Sequence, residues 1–154
     1  MKIRPQNLIG YSTLRCDDPR GQLYNWATTR AMVVRGDGNH AREIAPDLID
    51  KPYTWTQFND WAPDGRSALV LQCWESPENY AWEREHRDFR HNDEGWLIDS
   101  CVVDLETGKI ENVTAVERVS NYNTGLYVWP GDPSRLGFTA VIRGESRPFS
   151  MNRD

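Results

Sequence analysis

One pattern occurs twice in this chain, and it limits the folds open to it. Residues 58–71 and 126–139 each carry an aromatic-rich run ending in Trp, a turn of Pro, Asp and Gly, an Arg, and then an apolar strand. Trp61 and Trp129 mark the two copies and lie 68 positions apart. A second pattern, an apolar run closing on a glycine turn, spans 31–38 and again 101–108, with Gly38 and Gly108 70 positions apart; residues 149–154 begin it once more. Between the copies, Trp74 to Gly95 is a 22-residue stretch of different character. Without it the two spacings fall to 46 and 48, near the ~40–45 residue period of a four-stranded blade.

The repeat predicts ten strands. Those at 9–15, 30–35 and 41–45 belong to a first, partial unit over residues 1–50. Those at 55–61, 67–73, 97–105 and 109–114 complete a second unit over 51–118, with 74–95 as an insertion. Those at 125–129, 136–142 and 147–151 belong to a third, partial unit over 119–154. Apolar residues alternate along several of them, as at Leu69, Leu71 and Cys73 or Cys101, Val103 and Leu105, which is the period of a strand. Gly38, Gly65 and Gly108 supply the positive φ that tight hairpin turns need.

The turn Trp61-Ala62-Pro63-Asp64-Gly65-Arg66 with its following apolar strand resembles the repeat of TolB-like β-propellers, as does the start of a further copy at Met151-Asn152-Arg153-Asp154. The resemblance covers the chain apart from 16–29 and 74–95. It implies an all-β fold: β-propeller blades of four antiparallel strands with one short helical insertion, residues 1–154 forming a single partial propeller with an incomplete ring. Propellers close with 4–8 blades, so the chain is expected to be a fragment of a longer polypeptide or a unit completed by other copies. Uncapped terminal blades expose apolar faces and strand edges, so self-association is expected if the chain is isolated. TolB-like blades occur in a periplasmic envelope protein, in the propeller of prolyl-oligopeptidase-type enzymes and in oligogalacturonate lyases. The resemblance therefore speaks for fold more than for activity.

Composition narrows the function classes. Leu, Ile, Val and Phe number 31 of 154, while seven Trp and six Tyr supply large surfaces instead. A net charge of −5 without a Lys/Arg run argues against a nucleic-acid partner. No stretch approaches the ~18 apolar residues of a membrane span. Residues 1–12 lack the apolar core of a secretory signal, which implies a cytoplasmic protein unless an export signal lies outside this sequence. Cys16, Cys73 and Cys101 form neither a disulfide framework nor a zinc motif, though Cys73 and Cys101 fall on adjacent predicted strands.

In a propeller blade both long inserts, 16–29 and 74–95, join the second strand to the third and so stand together on one face. Ser76 followed by Pro77 and Glu78 signals a helix start, and a helix to about Phe89 places Trp82, His86 and Phe89 on one side. Aromatic stripes at helical spacing are usually packing faces, so that side is expected against the rim. The sharper reading is a ligand surface of Tyr24, Trp26, Trp74, Tyr80, Trp82, His86, His91 and Trp96. Aromatic faces with nearby carboxylates suit a sugar, and the same surface suits a protein or peptide. His86 and His91, five apart, do not share a helical face, and no HExxH occurs, so neither metal nor cofactor is expected. No GxSxG elbow occurs either. The expected function is a non-catalytic binding module for a protein, peptide or glycan; the alternative is part of a propeller enzyme, a polysaccharide lyase or hydrolase or a peptidase propeller.

Overall fold

The computed structural model describes residues 7–16, 24–88, 95–114, 126–129, 131–142 and 145–152. Strands β1 (Leu8–Cys16), β2 (Tyr24–Arg35) and β3 (Arg42–Glu43) form a first antiparallel sheet. A 3-10 turn at Pro46–Leu48 leads into a second sheet of β4 (Thr54–Trp61), β5 (Ser67–Glu75), β6 (Trp96–Asp104) and β7 (Ile110–Asn112), with helix α1 (Pro77–His86) between β5 and β6. Strands β8 (Leu126–Trp129), β9 (Asp132–Ile142) and β10 (Glu145–Asn152) form the third. In every sheet each strand pairs with the next in the chain, and among the described residues none closes into a barrel. The expectation of a mostly-β chain with one short helix holds at this level.

The second sheet is covered on both faces. The pleat sends Ala68 and Val70 of β5 one way and Leu69 the other. Ala68, Val70, Cys101 and Val103 pack against Ala31, Val33, Ile44 and Leu48 of the first unit. Leu69, Val102, Ala62 and Val113 pack against Leu136 of β9, with Val128, Phe138 and Met151 at the margin. Burying each of the Val, Leu and Ile side chains among them contributes about 1.5–3 kcal/mol. The two interfaces are built alike. Leu136 and Phe138 meet the second sheet from positions matching those at which Ala68 and Val70 meet the first. On the opposite side, the Ile44 N–H donates to the Ala31 carbonyl at 2.8 Å and the Val113 N–H to the Ser100 carbonyl at 2.9 Å. Ile44 and Val113 thus hold matching places, each facing the next sheet.

The repeated turns are also built alike. Asp64 Oδ1 accepts from the N–H groups of Arg66 and Ser67, both at 2.8 Å. Asp132 Oδ1 accepts from the Ser134 N–H at 3.1 Å and its hydroxyl at 2.6 Å. Gly65 and Gly131 take φ of 63° and 82° beside them, a region open to Gly at little cost.

Two expectations change. Within 16–29, Cys16 and residues 24–29 pair as strand rather than loop: Arg15 lies opposite Asn25 and Cys16 opposite Tyr24, after a register shift between Thr13 and Arg15. Polar groups hold this extension, with the Thr28 hydroxyl accepting from the Arg15 N–H at 3.0 Å and donating to the Asn25 carbonyl at 2.6 Å. Asn25 and Thr29 are buried, so no apolar alternation announces the strand. Helix α1 ends at His86 because Arg87 turns left-handed, φ 51°. Cys73 and Cys101 are free, in keeping with the absence of a disulfide framework in the sequence, and sit on opposite faces of one sheet, since Cys73 is opposite Ile98 while Cys101 is opposite Val70. Phe89, Gly125 and the last two residues of the 151–154 motif lie outside the described residues.

Gly10 lies against the Phe58 ring of β4. A Cβ there would stand 2.1 Å from ring atoms of Phe58. Gly10→Ala is therefore expected to destabilise the chain by roughly 1–3 kcal/mol through overpacking, read as a lowered urea midpoint.

Candidate functional site

The end of the second sheet that carries α1 collects five of the seven tryptophans: Trp26, Trp55, Trp74, Trp82 and Trp96. Trp26, near the start of β2, crosses to the second sheet and meets Trp55 of β4 at 6.4 Å, nearly stacked, and Trp96 of β6 at 6.2 Å, edge-on. Trp55 and Trp96 meet edge-on at 5.1 Å. With Leu71, Cys73 and Ile98 they form a third apolar cluster, in which Trp55 is 1% and Trp96 7% exposed. Trp26 thus ties the β1–β2 hairpin to β4 and β6, at the end of the second sheet from which the β5–β6 insertion rises, through tryptophans that are largely enclosed. The indole N–H of Trp55 has no hydrogen-bond partner.

Helix α1 starts as its sequence dictates: the Ser76 hydroxyl accepts from the Asn79 N–H at 3.1 Å, with Pro77 in the first turn. Its packed face is not the aromatic one. The buried residues of α1 are Asn79 and Glu83. The Asn79 side-chain amide donates to Glu75 Oε1 at 2.6 Å and reaches Glu83 Oε1 at 3.3 Å. Glu75 lies opposite Trp96 at the end of β5 and is 1% exposed. Burial pushes its carboxyl up to about 7; the Asn79 hydrogen bond works against this, and the Glu83 charge adds to it. Gly95 closes the base of the insertion, its carbonyl accepting from the Ser76 N–H at 2.7 Å. Sequence reasoning passed over Glu75, Asn79 and Glu83, although Asn79 and Glu83, four apart, share one side of the helix.

The other expected ligand residues fall into separate surroundings. Tyr80 packs on Tyr53, ring centroids 4.6 Å apart, with the Arg84 guanidinium 5.1 Å from the Tyr80 ring. Trp82 and His86 stack on each other at 4.2 Å, and His86 Nδ1 lies 2.9 Å from the Trp82 carbonyl. His86 is exposed and Trp82 half-buried, so this side of α1 faces outward rather than onto the sheet. Trp74 lies on the sheet face opposite to Glu75 and Cys73, with the Lys51 ammonium 4.3 Å from its ring. Tyr24 is placed through its main chain, opposite Cys16. His91 lies outside the described residues.

Other reactive groups are subdued. Burial raises the Cys73 thiol, as it does that of Cys101, which is pushed up to about 12, so both stay protonated and inert. Among the described residues, no three His, Cys, Asp or Glu side chains are grouped to hold a metal ion, and no helix is long and apolar enough to cross a membrane.

No family model and no curated protein matches this chain. A solved structure described as "AtxE2 Isopeptidase - APO" is 15% identical to it, with a TM-score of 0.24, over 95% of this chain and 35% of that one. A TM-score of that size does not establish a common fold, and this chain spans little more than a third of that protein.

Glu75 sets a pH dependence of known sign. Its carboxyl is raised in the folded chain, so the folded form binds that proton more tightly than the unfolded form. The stability this supplies is complete below about 4.5 and is lost as pH rises through about 7, a loss on the order of 3 kcal/mol. Glu75→Gln keeps an acceptor for Asn79 and removes the titration. Its urea midpoint is expected to change less than that of the parent chain between about pH 5 and about pH 8.

Proposed function

We propose that the chain is a run of TolB-like propeller blades whose α1-bearing end is a non-catalytic binding surface for a protein, peptide or glycan. The blade reading draws its support from the two sheet interfaces, which repeat one another in facing residues and hydrogen bonds. The binding reading is carried by one observation: Trp26 joins the β1–β2 hairpin to the sheet that bears α1, and part-exposed aromatic groups stand at this end. These are Trp74, Tyr80 and the Trp82–His86 stack. Side chains of this kind on a rigid strand scaffold combine large contact area with few rotatable bonds.

The test is to probe glycan and peptide arrays with the purified chain and with a Trp74→Ala, Trp82→Ala double variant. Binding to one class that the double variant loses is the expected result. Silence on both arrays, or binding that survives both substitutions, defeats the reading.

The same reading bears on assembly. Ile9 on β1 is 53% exposed, and Tyr127 and Trp129 on β8 are 56% and 45% exposed. These lie on the first and third sheets, the outer members of the stack, where a blade-like unit meets its next neighbour. The isolated chain is expected to self-associate, seen as a solution mass above 17.8 kDa by light scattering. A monodisperse monomer at high concentration is the contrary result.

A further inference from the structure

Trp74, Gln72 and Asp99 share one face of the second sheet, on neighbouring strands β5 and β6, where Gln72 lies opposite Asp99 and Trp74 opposite Leu97. Together with Asp50, Lys51 and Thr54 they line a cleft of about 90 Å³. That is the space of about three water molecules at about 30 Å³ each, enough for the end of a side chain. The walls are fixed from behind. Gln72 Nε2 donates to the Leu48 carbonyl at 2.7 Å. Thr114 donates to Asp99 Oδ1 at 3.2 Å, and Thr54 donates to Asp50 Oδ1 at 3.4 Å. Each of the last two bonds engages one oxygen of a carboxylate that can accept several.

The aromatic floor already holds a cation. The Lys51 ammonium sits 4.3 Å from the centre of the Trp74 ring, inside the ~6 Å range over which a ring face attracts positive charge. Lys51 and Asp50 are exposed, whereas Trp74, Gln72 and Asp99 are part-buried. A part-buried indole face flanked by two carboxylates and covered by one exposed lysine is the arrangement that recognises an ammonium or guanidinium group.

We propose that this cleft receives a Lys or Arg side chain of a partner peptide, and that Lys51 is its built-in occupant, displaced when the ligand binds. The proposal rests on the binding-module reading and narrows it to basic peptides and to one of the aromatic groups. A glycan would use the same indole through its C–H face, but two acids and a ring face that already takes an ammonium favour the cation.

The sign of one substitution makes the idea testable. Lys51→Ala removes the occupant and is expected to tighten binding of a fluorescein-labelled Gly-Gly-Arg-Gly-Gly peptide by roughly three- to tenfold. Lys109→Ala changes the net charge equally but lies in a different groove, beside Asp64, Asp104 and Glu111; it should leave that affinity within about twofold. Trp74→Ala should abolish binding, and Asp50→Asn, a surface change that keeps an Oδ1 acceptor for Thr54, should weaken it. The same peptide with citrulline in place of arginine should not bind. Fluorescence anisotropy reads all of these. Equal tightening by Lys51→Ala and Lys109→Ala, weakening by Lys51→Ala, or binding of the citrulline peptide would overturn the proposal. Trp74-dependent binding of neutral oligosaccharides without the arginine peptide would overturn it too, while leaving the binding-module reading intact.

Discussion

Everything in this structure is arranged around one strand that is buried from both sides. In β5 the five residues from Ser67 to Leu71 are all buried, because the first sheet covers Ala68 and Val70 while the third covers Leu69. A strand in that position cannot carry charge on either face over its covered length, since burying an unpaired charge costs far more than a single packing contact returns. It also fixes the register of its neighbours, because a slip of one residue would exchange the two packed faces. Polar chemistry is thereby pushed to the ends of β5: Asp64 and Arg66 at one, Glu75 and the α1 insertion at the other.

How much of this could be read beforehand depended on whether the responsible side chains were apolar or small. The glycine turns and the strands from β4 onward were legible because Asp-Gly pairs and apolar runs leave a direct trace. The first half of β2 left none. It is held by Thr28 hydroxyl bonds and by buried Asn25 and Thr29, residues that in a sequence read as loop. Alternation at Leu69, Leu71 and Cys73 revealed one face of β5 and hid the other, where Ala68 and Val70 are equally enclosed.

The aromatic residues taught a related lesson. Eight positions were grouped by residue type, yet pleat and helix pitch divide them. Trp96 faces Glu75 and is enclosed, while Trp74, one residue before Glu75, looks to the other side of the sheet. Trp55, which no ligand pattern singled out, proved to be the partner that ties Trp26 and Trp96 together. On α1 the start signal at Ser76 and Pro77 was sound, but the side that docks is set by Glu75, outside the helix, offering its carboxylate to Asn79.

That last contact gives α1 an unusual relation to the rest of the chain. Most helices are glued down by an oily face, so lifting one wets a large apolar area and denaturants promote the opening in proportion. The buried residues of α1 are an amide and a carboxylate. Apart from the Tyr80 contact with Tyr53, lifting it would wet little hydrocarbon, so urea would favour that motion only weakly, whereas protons would govern it directly. The helix and the sheets beneath it therefore answer to different solvents: the stack to water's aversion for hydrocarbon, the helix to the acidity of its surroundings.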